Sequence, residues 1–214
     1  MIRRRCNDEC GIAMVIALAL ITLISVIAGV LRRDGGACSV FDQDYNRMSE
    51  DETTSFRGVN IGFVFQAFNL IPSLTTAENV ATPLIINGMK PPTAVSHARE
   101  ILGEVGFDER MMRSLPTDLS GGQQQRVAIA RSLVHQPRLI VCDEPTSALD
   151  GETGHKVMEL MRRLGRADNR ALVVVTHDSR IFEFADRIAE MEDGRITQVV
   201  DSPSKLKAMS NLVA

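Results

Sequence analysis

Tryptophan is absent from this sequence and tyrosine occurs once, which leaves eight phenylalanines as nearly all of its aromatic surface. So sparse a set offers little for stacking on nucleic-acid bases. Charge points the same way: 24 Lys and Arg against 27 Asp and Glu give a net −3, without the basic excess of a nucleic-acid partner. Of the four cysteines, Cys6 and Cys10 lack a second ligand pair for zinc, and Cys142 sits in the apolar run LIVCDE as a small core residue. Nothing here asks for an oxidising compartment. There is no internal repeat, low-complexity tract or flexible linker after residue 40. The most consequential absence is local. Residues 11–31, GIAMVIALALITLISVIAGVL, carry no charge, and between Gly11 and Gly29 there is no glycine.

With 214 residues, 44% of them hydrophobic and 24% charged, the chain has room for one domain with a subdomain. The charge-free run lies between Arg3, Arg4, Arg5 and Arg32, Arg33. As a helix it would span roughly 30 Å, the hydrocarbon thickness of a bilayer. Hydropathy therefore predicts a membrane helix over 11–31, in the manner of an uncleaved signal-anchor. A buried strand and helix of an α/β core can be equally free of charge, and periodicity does not separate the two.

Beyond it, Gly35-Gly36 predicts a turn before a short strand. Ser49 with Glu52, and Thr75 with Glu78, are capping boxes that open helices. NIGFVFQ (60–66) reads as a buried strand. Val95, Ala98, Ile101, Leu102 and Val105 line one helix face that Gly106 stops. A long helix over about 121–135 precedes the strand RLIVCDE. A helix near 152–164, a strand ALVVVTH, a helix near 179–185 and a hairpin around Asp193-Gly194 come next, with a weak helix over 201–214. Strands alternating with helices from 137 to 191 predict an α/β fold with a parallel sheet, and the helical stretch 75–135 is an insertion into it.

The chemistry-bearing residues fall where such a sheet binds ligands, beyond the carboxyl ends of its strands. In LIVCDE two carboxylates emerge together: Asp143 suits a hard cation such as Mg²⁺, and Glu144 suits an attacking water. In LSGGQ (119–123), Ser120 and Gln123 form a capping box, and Gly121 and Gly122 leave backbone N–H groups open at a helix start, as a phosphate requires. Gln66 ends one strand with a side-chain carbonyl for metal or water. His177 ends another, where an imidazole can reach a terminal phosphate.

Together these motifs resemble the ATP-binding cassette family. LSGGQ looks like its signature motif, LIVCDE its Walker B, SALD (147–150) its D-loop, Gln66 its Q-loop glutamine and His177 its switch histidine. IGFVFQAFNLIPSLTTAENV with LSGGQQQRVAIARSL is similar to the branch of lipoprotein-release and macrolide-export ATPases. The resemblance, from about Thr22 to Val200, implies a RecA-like core over 37–66 and 137–200, a helical subdomain over 67–136, an atypical segment over 1–36 and a tail over 201–214. It implies ATP and Mg²⁺ as ligands and hydrolysis as the reaction, with Glu144 as base, Asp143 and Gln66 at the metal and His177 at the γ-phosphate. Ser120, Gly121, Gly122, Gln123 and Asp150 would act on nucleotide across a homo- or heterodimer. Transmembrane permease subunits would be the partners, at the cytoplasmic face of the membrane, with no nucleic acid involved. Ribosome-associated members usually carry two cassettes, and DNA-repair members a long coiled coil. This chain has neither.

The pattern breaks at the phosphate loop. TLISVIAGVLRRDGG (22–36) fits the family's segment immediately after that loop, so an ungapped count places Gly-x-x-x-x-Gly-Lys-Ser at 14–21, which read MVIALALI. Leu20 stands at the lysine position and Ile21 at the serine position, supplying neither charge nor hydroxyl. Three readings remain open. The start is a foreign segment joined to a genuine cassette. Or the chain is a degenerate subunit that lends its signature motif to a partner. Or it is a non-catalytic, membrane-anchored interaction protein. Gln66, Asp143, Glu144 and His177 all serve the chain's own site, which favours the first.

Overall fold

The computed structural model describes residues 12–16, 38–166, 170–192 and 195–201. Their centre is a six-stranded sheet of β1 (Ile12–Ile16), β4 (Ile61–Val64), β5 (Leu139–Asp143), β6 (Ala171–Val175), β7 (Arg187–Glu192) and β8 (Arg195–Val200). In space the order is β4-β5-β6-β1-β7-β8, parallel except for the final hairpin of β7 and β8. A small antiparallel hairpin, β2 (Ser39–Val40) and β3 (Gln43–Asp44), stands apart from it.

β1 corrects the helix reading for residues 12–16. Residues 12–16 are an inner strand, with Ala13 opposite Val173 of β6 on one side and Arg187 of β7 on the other. A strand with a neighbour on each edge in a covered parallel sheet has no face for charge, so its composition is that of a membrane segment. Among the described residues no helix is long and apolar enough to cross a membrane. Residues 17–31 of that run lie outside the described residues, as do Cys6, Cys10, the Gly35-Gly36 and Asp193-Gly194 turns and the helix expected after 201. Met14, Val15 and Ile16, loop positions by the ungapped count, belong to the strand.

The capping boxes form as expected. Ser49 opens α1 (Glu50–Asn60), Thr75 opens α2 (Thr76–Ile86) and Ser120 opens a later helix, each with the reciprocal side-chain and backbone bonds in place. Between β4 and β5 come α2, α3 (Pro91–Glu104), the short α4 (Glu109–Met112) and α5 (Gly121–Leu133). α3 starts at Pro91, before the expected residue 93, because proline's fixed φ suits the first helical position. Gly106, at φ +84, ends its excursion as expected. After β5, α6 (Gly151–Arg166) crosses over to β6. The helix expected over 179–185 is instead a 3₁₀ segment, Ser179–Phe184, whose Asp178 cap bonds the backbone of Arg180.

Alternation along β5 divides the core. Ile140 and Cys142 join Val64, Leu172, Val174 and Ile188 under α6, while Leu139 and Val141 face Ile61, Val175 and Met191 on the other side. A third cluster lies among the helices, where Val80, Ala98, Leu102 and Val127 are fully buried. Burial pushes the Cys142 thiol well up, so it remains an inert core group.

α5 lies against β4 at one tight point. A Cβ on Gly62 would stand 2.1 Å from the carbonyl oxygen of Ser132 and 3.1 Å from Cγ of Pro137. Backbone cannot yield there as a flexible side chain would. Gly62→Ala should lower stability by about 3 kcal/mol in urea unfolding. An unchanged midpoint would show that the helix can shift away.

Candidate functional site

The parallel strands deliver their carboxyl ends to one edge of the sheet. Val64 of β4 pairs with Cys142 of β5, and Asp143 pairs with Val175 of β6, so Gln66, Glu144 and Thr176-His177 leave the sheet at one level. β1 fits the same level, with Val15 opposite Val175.

At this edge Glu144 adopts φ +49, an uncommon conformation for a non-glycine residue. Its N–H donates to the Val175 carbonyl at 2.9 Å, while its own carbonyl accepts from the Ser147 N–H at 3.3 Å and hydroxyl at 3.0 Å. The turn therefore starts immediately after the strand and aims the carboxylate along the edge. Three donors converge on it. Oε1 accepts from the His177 N–H at 3.1 Å and meets Nδ1 of the same ring at 2.6 Å. Oε2 accepts from the Thr176 hydroxyl at 3.3 Å. The Thr176 oxygen itself accepts the N–H of Asp178 at 3.0 Å, which directs its hydrogen at Glu144. With Glu144 ionised, Nδ1 is the protonated ring nitrogen and Nε2 is left as the acceptor. Glu144 is 16% exposed and the His177 ring 76%, so the pair forms a sheltered base beside an open imidazole.

Asp143 is half-buried. Burial, and then the neighbouring Glu144 charge, push its pKa above 3.8. Two adjacent carboxylates without a third metal-ligating side chain among the described residues would suit a cation that keeps waters and phosphate oxygens as its other ligands. Gln66, exposed beyond β4, stands at the same edge.

Ser120 caps α5: its hydroxyl accepts the Gln123 N–H at 3.4 Å, and Gln123 Oε1 accepts the Ser120 N–H at 2.8 Å. The nearest atoms to a Cβ on Gly121 would be Ala148 O, Leu149 Cδ2 and Phe68 Cζ, each 4.0 Å away. The LSGGQ turn thus lies between the segment after Gln66 and the SALD segment. A Cβ on Gly122 would come within 2.6 Å of Thr153 Cγ2, so any side chain there requires Thr153 to move. Asp150 caps α6 through Oδ1, which accepts the Thr153 N–H at 3.0 Å, and this bond draws its pKa down.

Other groups that shape the site carried no motif. Arg131 donates to the carbonyls of Asn69 at 2.6 Å and Phe68 at 2.8 Å, and burial lowers its pKa. Asn79, fully buried, accepts the Ile71 N–H and donates to the carbonyls of Ile71, Leu74 and Thr75, closing the loop beyond Phe68. Arg131 was detectable as a lone charge in the apolar face VAIARSL. Thr176 and Asn79 had no such signal.

A model of the ABC transporter family matches residues 21–147. The ABC transporter ATP-binding protein MJ0796 of Methanocaldococcus jannaschii is 42% identical over 178 residues, 82% of this chain and 76% of the relative. The lipoprotein-releasing system ATP-binding protein LolD of Geobacter metallireducens is 42% identical over 175 residues, 82% of this chain and 77% of its own. The dimeric post-hydrolysis structure of the MJ0796 cassette, bound to ADP and Pi, superposes with a TM-score of 0.82 at 38% identity, covering 91% of this chain and 86% of that one.

The raised pKa of Asp143 has a defined consequence for stability. Below 3.8 the carboxyl is protonated in both the folded and unfolded states and costs nothing. As pH rises through the folded-state value the fold comes to carry an unfavourable charge. Asp143→Asn should therefore melt above the parent at about pH 7.5, with the gap closing toward about pH 4. A gap of the same size at both values would exclude titration as its source.

Proposed function

Since this chain belongs to the ABC transporter ATP-binding family, we propose that it serves an exporter-type system in which its own nucleotide site is weak and its signature face is used by a partner cassette. It is an ATP-binding subunit of a transporter by family. The finer reading rests on one observation. The strand that should deliver the phosphate loop is present, and the sequence after it, ALALI (17–21), has no glycine, lysine or hydroxyl. A phosphate nest needs glycine-permissive backbone, and the β/γ-phosphates need a cation.

The remaining edge is suited to Mg²⁺-ATP. Asp143 would hold the cation, with Gln66 contributing its side-chain oxygen. Bound Mg²⁺ supplies charge neutralisation on the phosphate oxygens. Glu144, oriented by Thr176 and His177, orients the attacking water and takes its proton. Nε2, on the exposed side of the His177 ring, would need a proton of its own to donate to the γ-phosphate. Ser120 and the open N–H groups of Gly121 and Gly122 face outward to nucleotide held by a second cassette, in the manner of a dimer. The branch resemblance and the LolD relatives support lipoprotein release or a related export as the process, with a membrane permease as partner.

Calorimetry of the purified chain with Mg²⁺-ATP, using Glu144→Gln to block turnover, tests the weak site. No saturable binding is expected from the folded chain. Nor should Ala19→Gly, Leu20→Lys and Ile21→Ser together restore it, because the cradle is a backbone arrangement spanning eight residues. Saturable binding by the unaltered chain, or full recovery by the triple variant, would overturn the reading.

A further inference from the structure

We propose that Gln125 is a positioning residue that fastens the Ser147–Asp150 loop to the helix opening with the LSGGQ turn. Gln125 lies two residues beyond Gln123 on α5 and is 1% exposed. Its Nε2 donates to the Pro145 carbonyl at 2.8 Å, whereas its Oε1 is buried without a donor. A methionine or leucine would fill this space without burying an orphan oxygen. Packing therefore does not account for the amide. Its donor does.

Pro145 is the first residue after Glu144 and has no N–H, so its carbonyl is its whole contribution to backbone hydrogen bonding. From there the chain turns through Ser147 N–H to Glu144 O at 3.3 Å and Leu149 N–H to Thr146 O at 3.0 Å, reaching Asp150 at the cap of α6. Gln125 grips the point where strand end becomes loop. A Cβ added at Gly122 would meet Thr153, and one at Gly121 would stand 4.0 Å from Ala148 O and Leu149 Cδ2, so the starts of α5 and α6 lie side by side. The two segments assigned to a partner's nucleotide thereby keep a fixed separation, and a displacement of one carries the other. That functional consequence rests on the proposed use of the signature face by a partner cassette. The bond itself does not.

Hydrogen–deuterium exchange on the full chain without nucleotide tests it. In Gln125→Met the amides of 146–150 should exchange about fivefold faster, as expected for one lost hydrogen bond, with α5 and β5 unchanged and the melting temperature not reduced. Gln125→Glu provides a second arm. Burial keeps a carboxyl there protonated in mild acid, where it still donates to Pro145 O, so loop protection should match the parent at about pH 5 and be lost at about pH 8. Unaltered loop exchange in both variants overturns the proposal. So does a uniform rise across α5, β5 and α6 with a lower melting temperature, which is the signature of a merely structural residue. Failure of the calorimetric expectation would leave this outcome standing, because no nucleotide enters the measurement.

Discussion

The hydrogen bond from the Glu144 N–H to the Val175 carbonyl, 2.9 Å long, is the hinge of the whole site. It is the ladder bond that closes the last pair of β5 with β6, Asp143 with Val175, and the backbone inverts there, at Glu144. Without it, Asp143 and Glu144 would point to opposite faces, as neighbouring residues on a strand do. With it, both carboxylates stay at the edge, and the Glu144 side chain turns to the backbone and ring of His177. The same inversion sets the start of the Ser147–Asp150 loop and, through Asp150, the start of α6. A single register between two buried strands thus decides the position of Asp143, Glu144 and the loop together.

α5 is the second organising element. Its first turn is the glycine pair, its middle holds Pro145 through Gln125, and its last part holds Phe68 and Asn69 through Arg131. Its back packs on β4 closely enough to exclude a methyl group at Gly62. Of these ties to backbone carbonyls, that of Gln125 is buried, where a hydrogen bond is strengthened by the absence of water. They hold loops rather than other side chains, so the loops can vary in sequence while their path is retained.

What could be read in the sequence was what is encoded locally. Ser49, Thr75 and Ser120 declare their helices because the partner of each cap is three residues away. LIVCDE declares a buried strand ending in carboxylates for the same reason. The partners of Gln125 and Arg131 were not legible, since they depend on how distant segments come together, and Asn79 closes a local loop that no motif marks. Arg131 reaches 62 residues back to Asn69. The 12–16 segment shows a different failure. Hydropathy reports only the absence of water, and an inner strand of a covered sheet and a lipid-embedded helix are alike in that respect. The 3₁₀ form of Ser179–Phe184 was hidden too, because Asp178 bonding to the Arg180 backbone favours a tight turn over a helix.

The place of β1 between β6 and β7 also fixes an order of events in the life of the chain. Residues 12–16 leave the ribosome well before their neighbours, 172–175 and 187–190. Throughout synthesis the strand has no edge to join, while the helices between β4 and β5 have all the local contacts they need. For that interval residues 12–16 are an apolar segment without a sheet to join, open to whatever binds nascent hydrophobic segments. The sheet closes only when the C-terminal strands arrive on either side of it.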